Sequence, residues 1–224
     1  MKRTYAEQIE AYYNRTLPAY ELIKFGRTPE FMQRYGAPNL PLVMQQSTLT
    51  KCVRKVTGSR SAHELSRDII ERLPEQISYP IFLIKDESRN SIALISDTRD
   101  KNDNNILIAI RLNERRQNIQ VNEIKSVYGK TSLREYLFKN IESKQLHIID
   151  NKTAEKLSRV LGLQLPTTLI TSSRIHNISS RPENVNSHFR KDSVRDRLQH
   201  YQKEQKQNQS GRENILIADR DRER

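Results

Sequence analysis

Hydrophobic and polar positions divide this chain into a helical start, an alternating middle and a polar end. From Tyr5 to Asn14 the residues are helix-permissive, with Ile9, Tyr12 and Tyr13 forming a narrow apolar stripe suited to docking. The connector GRTPEFMQRYGAPNLPL follows, in which Pro29 can start a short helix while Gly36, Pro38 and Pro41 forbid a long one. Ser47 to Val56 reads as helix. In SAHELSRDIIERLPEQI, the pair Ser61 and Glu64 has the S-x-x-E capping spacing. Leu65, Ile69, Ile70 and Leu73 would then share a face, and Pro74 would end the helix.

After Pro80 the pattern becomes extended. IFLIK, SIALIS, ILIAIRLN, IQVNEI and LHIID are five short runs rich in aliphatic and β-branched residues, separated by DESRN and by the polar tip DTRDKNDNN. SIALIS and ILIAIRLN form an antiparallel hairpin candidate. TSLREYLFKNIE reads as a helix capped by Ser132 with Glu135. TAEKLSRVLG reads as a second, started by Thr153 or Asn151 and stopped by Gly162. The expected class is α+β: N-terminal helices, then a mostly antiparallel sheet of four to five strands with helices on one face. Three segments are expected: a helical arm and linker (1–41), an α+β domain (42–166), and a polar, basic, largely disordered tail (167–224). The tail has too few apolar residues to offset its ordering entropy. Within it, 194–205 could form a fluctuating helix, and the terminal ILIADRDRER carries one apolar patch.

Composition sharpens this picture. The 224 residues carry a formal charge of +12 and are 35% hydrophobic, a low fraction for a chain buried throughout. Excess Lys and Arg favour a polyanionic partner, because neutralising phosphates releases their counterions. The one cysteine, Cys52, excludes an internal disulfide framework and fits a reducing compartment. MKRTYAEQIEAYYNRT lacks the apolar core of roughly 7–15 residues that a signal peptide needs, and no run approaches the ~20 apolar residues of a membrane span. A cytoplasmic protein is expected, with no membrane partner. No zinc pattern, P-loop or G-x-G-x-x-G occurs, so neither metal nor cofactor is expected.

Chemistry concentrates in VNEIKSVYGKTS, from Val121 to Ser132. Regular alternation puts Glu123 and Lys125 on one side of the strand and Ser126 and Tyr128 on the other. A bulge near Asn122 or Glu123 would re-aim these side chains and turn Val121 and Ile124 to one side. Backbone N–H groups at the following helix start, flanked by Lys125 and Lys130, suit an anion. Arg111, Arg115 and Arg116 extend the positive surface. Against this stands a purely structural reading, in which Tyr128 is a core residue, Gly129 a turn and the lysines a solvated rim.

The order from ERLPEQISYPIFLIKD through SIALISD, ILIAIRLN, VNEIKSVYGK and LHIIDNKTAEKL to LGLQLP resembles the phage MuF C-terminal domain. VNEIKSVYG and LGLQLP are its specific parts, and the likeness covers roughly 61–166, with a looser extension back to Leu42. The resemblance implies a relation to barnase/EndoU/colicin/RelE-like nucleases, and with it a metal-independent ribonuclease toxin or effector of a phage or mobile element. It also implies a nucleic-acid partner, RNA first, and an inhibitor or phage protein as a second partner. Such cleavage needs a base for the ribose 2′-hydroxyl, cations at phosphorus and an acid for the leaving oxygen. Glu123 is the candidate base, Lys125 or Lys130 the phosphate stabiliser, and Tyr128 a phosphate ligand or proton donor. Ser126 would orient either. Imidazole titrates near neutrality, and His147 ranks first among the histidines because it lies in the LHIID strand while His176 and His188 follow the core; a partly buried structural histidine is the alternative. Arg111, Arg115, Arg116 and Lys130 are candidate nucleic-acid contacts. The alternative is a non-catalytic nucleic-acid-binding or phage-structural module.

Overall fold

The computed structural model describes residues 3–55 and 62–169. Its frame is a seven-stranded sheet in the order β1-β2-β6-β5-β4-β3-β7. The five expected strands are present as β3 (Phe82–Asp86), β4 (Ser91–Arg99), β5 (Asn105–Arg116), β6 (Ile119–Gly129) and β7 (Leu146–Ile148). The other two, β1 (Ile23–Arg27) and β2 (Pro41–Met44), come from the segment read as a connector. Because β2 runs parallel to β6, pairing Leu42, Val43 and Met44 with Asn122, Glu123 and Ile124, the sheet is mixed as well as larger than expected. The two strands are only five and four residues long. Flanking Pro and Gly hide them, since so short a run shows no decisive periodicity.

Helices cover both faces of the sheet, not one. Strand alternation explains this: along β3, Leu83 points to one side while Phe82 and Ile84 point to the other. Leu83, Ile92, Leu94, Ile106, Ile108, Ile110 and Ile124 share a core with α1 (Tyr5–Tyr13), α2 (Glu30–Arg34), α3 (Gln46–Val53), α4 (Arg67–Glu71) and α5 (Leu73–Ser78). Phe82, Ile84, Ile95 and Leu107 pack instead against Leu133 and Leu137 of α6 (Leu133–Glu142) and Ala154 and Leu157 of α7 (Asn151–Leu161). The N-terminal arm is therefore part of the domain. Ile9, Leu17, Ile23, Phe31 and Met32 lie in its core, and Gln8, almost fully buried, closes the edge strand by bonding Lys24 N–H at 2.9 Å and Lys24 C=O at 3.3 Å. This side-chain amide stands where a neighbouring strand would pair.

Helix ends differ from the capping patterns. Ser61 lies outside the described residues, Glu64 has φ +50°, and the helix begins only after Ser66. Pro74 does not end it: the chain breaks at Arg72 and Pro74 sits in the first turn of α5, where a missing N–H costs nothing. Ser132 precedes α6 in a left-handed conformation and makes no side-chain cap bond. Asp150, rather than Thr153 or Asn151, caps α7, accepting from Thr153 N–H at 3.2 Å. Gly162 stops that helix at φ +62°, as the sequence indicates. The 194–205 segment and the terminal patch lie outside the described residues.

A basic cleft at the bulge of strand β6

The hairpin of β5 and β6 slips register once inside the sheet. Ala109 pairs with Ser126 but Ile110 with Ile124, so Lys125 is the extra residue. A second irregularity on β5, at Leu112 and Asn113, lies opposite Asn122. The first slip sits later than the expected bulge, and Val121 and Ile124 consequently stay on opposite sides: Val121 packs with Leu22 and Val43, Ile124 with the α1–α5 core. Beyond the slip Ile124 and Val127 share one side. Lys125 and Tyr128 then share the other, three positions apart where regular alternation would separate them.

That other side holds a cleft of about 430 Å³ between α6 and the sheet. Its floor includes the small residues Ala93 and Ala109, and Tyr128 and Tyr136 stand at its walls. Arg89, Arg111, Lys125 and Lys139 supply positive charge, against one carboxylate, Asp86. Asp86 is held below the usual carboxylate range first by the Ser88 hydroxyl, which donates to it at 2.6 Å. Burial pushes the Tyr136 phenol up to about 12, with Tyr128 and Asp86 adding to the effect, and raises Tyr128 as well. Both phenols are therefore protonated donors at neutral pH. A larger cleft, about 680 Å³, lies beside α1, but its Arg67 is paired with Glu10 and Glu71 and its Glu7 caps the helix.

His63 is the side chain that sequence reasoning missed. Coming from the loop before α4, its Nε2 lies 3.2 Å from Ser126 Oγ, and its ring packs 5.2 Å from that of Tyr128 at an interplanar angle of 30°. Its backbone N–H donates to Lys51 C=O at the end of α3, which fixes the loop. Burial, and then the positive charge of Lys51, lower its pKa below 6.5. The neutral imidazole predominates at pH 7, a form able to accept a proton. His63 sits in a polar stretch 63 positions from Ser126, and no local spacing signals their contact.

The predicted residues separate into groups. Lys125, Tyr128 and Arg111 meet at the cleft, and Ser126 at His63. Lys130 stands 4.8 Å over the Tyr136 ring, and its N–H donates to Asn105 C=O at 2.8 Å. Glu123 is 1% exposed and held by Arg116 at 2.7 Å and Lys125 at 3.0 Å, with Glu114 3.5 and 3.6 Å from the same two cations. So Arg116 is a buried carboxylate's partner rather than a free contact, and Arg115, on the hairpin end near Gln120, does not line the cleft. His147 is elsewhere: β5, β4 and β3 separate its strand from β6, and its ring stacks on Tyr35 at 4.4 Å. Burial, then Lys85, lower its pKa. His176 and His188 lie outside the described residues. Among the described residues no cluster of three or more His, Cys, Asp or Glu is placed to hold a metal ion, and no helix is long and apolar enough to cross a membrane.

Fold and site together define an α+β domain with a mixed sheet and a basic, tyrosine-walled cleft on one face. The family model of the phage MuF-C-terminal domain matches residues 54–156. The match includes His63, the cleft and the bulge but leaves out β1, β2 and α1–α3, which complete the sheet. No curated protein and no solved structure matches the chain.

Proposed function

We propose that this domain cleaves RNA through acid–base chemistry at the ribose, with the contact of His63 with Ser126 and Tyr128 beside the basic cleft as the observation that carries the reading. Neutral His63 takes the proton of a 2′-hydroxyl as its oxygen attacks the adjacent phosphorus. The bond from phosphorus to the 5′-oxygen breaks, leaving a 2′,3′-cyclic phosphate, and the departing oxygen takes a proton from Tyr128 or from water. Lys125 and Arg111 offset the charge that develops on the phosphoryl oxygens. Ser126 orients the imidazole. Glu123 serves as the counter-ion that holds Lys125 in place, because a carboxylate sealed between two cations is poorly placed to meet a substrate. In this reading the domain is an RNA-directed effector of a phage or mobile element, acting on cellular RNA until an inhibitor blocks it.

The test is incubation of the full chain with RNA and with DNA in EDTA. RNA yields fragments ending in cyclic phosphate and DNA does not. His63→Ala lowers the rate about 10²–10⁴-fold, the usual weight of one general acid or base, with an unchanged circular dichroism spectrum. Undiminished cleavage by the variant would refute the assignment of His63. A second reading is favoured by the burial of Val121, Asn122, Glu123 and Ile124: these residues hold the fold, and the domain binds nucleic acid without cutting it. Salt-sensitive binding with no product in any buffer would establish that reading instead.

A further inference from the structure

Resting on the reading of this cleft as the nucleic-acid site, we infer that it takes an unpaired base between Tyr128 and Tyr136 and so selects single strands over duplex. Each ring is backed by a residue that does not line the cleft, Tyr128 by His63 and Tyr136 by the Lys130 ammonium. Both tyrosines also line the cleft itself, whose floor is kept low by Ala93 and Ala109. The cations stay open to flanking phosphates although two are paired: Arg89, 3.6 Å from Asp86, is 76% exposed and Lys125, 3.0 Å from Glu123, is 38% exposed, and Arg111 is oriented by donating to Arg89 C=O at 2.9 Å. A space of about 430 Å³ holds one nucleotide and its near neighbours, not a helix. A duplex offers such a site its phosphates alone, since its bases are stacked and paired, whereas an unpaired base can be splayed out and stacked on aromatic side chains. Asn140 and Gln145 also line the cleft, but the Asn140 amide already donates to Tyr136 C=O at 2.7 Å, so stacking comes before hydrogen bonding there.

Fluorescence anisotropy with the full-length protein, His63 intact, tests this on probes that carry 2′-fluoro groups in place of the 2′-hydroxyls and so cannot be cut. The probes are a labelled, unstructured 12-nucleotide RNA and the same strand annealed to its complement. The single strand is expected to bind about tenfold tighter, the order that one stacked base contributes. Tyr136→Leu should remove most of that difference while leaving duplex affinity unchanged. Ala109→Met, which fills the floor without touching a cation, should do the same, so a folding failure of one variant leaves the other decisive. Equal affinity for the two probes, or an equal loss for both probes in the two variants, would overturn the inference. The failures are separable. Single-strand preference in a chain that never cleaves RNA sinks only the cleavage reading, whereas cleavage of duplex as fast as single strand sinks only this one.

Discussion

The side-chain amide of Asn122 donates to Thr28 Oγ1 at 2.7 Å, joining β6 to the N-terminal arm across 94 positions of sequence. The same amide donates to Pro38 C=O at 2.8 Å, and its oxygen accepts from Asn113 N–H at 3.0 Å, at the irregularity of β5. Asn122 is fully buried and has three of its four bonding positions filled. Asn122→Leu would remove three buried hydrogen bonds and leave Asn113 N–H without this partner, whereas the Thr28 hydroxyl keeps Leu40 C=O and Pro38 C=O keeps Leu40 N–H, both at 2.8 Å. A lost bond costs about 0.5–1.5 kcal/mol and a buried group left unpaired about 1–3 kcal/mol. Urea unfolding should show a loss of about 3 kcal/mol, and Thr28→Val, which removes only one partner, about 1 kcal/mol. A double-mutant cycle should return a coupling between them. Additive losses would mean that the amide does not tie the arm to the sheet.

A second contrast separates Glu123 from Lys125. Both belong to one charged cluster, but Glu123 is 1% exposed and Lys125 38%. Removing a buried partner leaves charge uncompensated, which costs about 3–5 kcal/mol. Lys125 is partly screened, but its removal leaves the buried Glu123 carboxylate with Arg116 as its remaining close cation, so its loss is smaller than that of Glu123 without being negligible. Glu123→Ala should therefore lower the urea midpoint sharply and Lys125→Ala by a smaller amount, while Lys125→Ala also weakens RNA binding and flattens its salt dependence. Equal stability losses for the two variants would show that the cluster is solvated.

What the sequence disclosed and what it hid follow from the range of each interaction. β3 to β7 and α6 were legible because alternation and length are local, and α7 because Gly162 stops it visibly. The importance of VNEIKSVYGK was legible as a concentration of polar residues on an aliphatic strand. Its phase was not, since a bulge at Lys125 depends on the register with Ala109 and Ile110. β1 and β2 were hidden because four or five residues between prolines and glycines become strands only where β6 offers a free edge. His63 was hidden for a similar reason: a polar loop residue gains a role through Ser126 and Tyr128, which the fold brings to it.

Gly129 is required by a close approach rather than by a turn. It ends β6 opposite Ile106, and a Cβ placed there would lie 1.9 Å from Asp100 Oδ2. Asp100 cannot easily withdraw, because its Oδ1 accepts from both Asn102 N–H and Asn104 N–H at 2.9 Å in the β4–β5 loop. Gly129→Ala should cost about 1–3 kcal/mol, the usual penalty for overpacking. Asp100→Ala should be destabilising on its own through the two lost bonds, and the double variant should lose less than the sum. A full sum would place the strain elsewhere.

The pH dependence of the domain turns on the sign of the histidine shifts. Burial, then Lys51, hold His63 below 6.5, and burial, then Lys85, do the same to His147. Unfolded imidazoles titrate near 6.5. Between the folded and unfolded values the unfolded chain binds more protons, so stability rises with pH there. The contribution is complete above pH 6.5 and is lost as the pH falls through the lower folded values. Thermal unfolding should show a flat plateau above that pH and a decline below it. If neutral His63 is the base, the cleavage rate should fall along an acid limb with its midpoint below 6.5. Lys51→Ala removes one cause of the shift and should move that limb upward without moving the His147 titration, which two-dimensional NMR of the imidazole resonances can follow separately. A limb that stays fixed in Lys51→Ala, while the His63 resonance moves, would show that another group sets the rate.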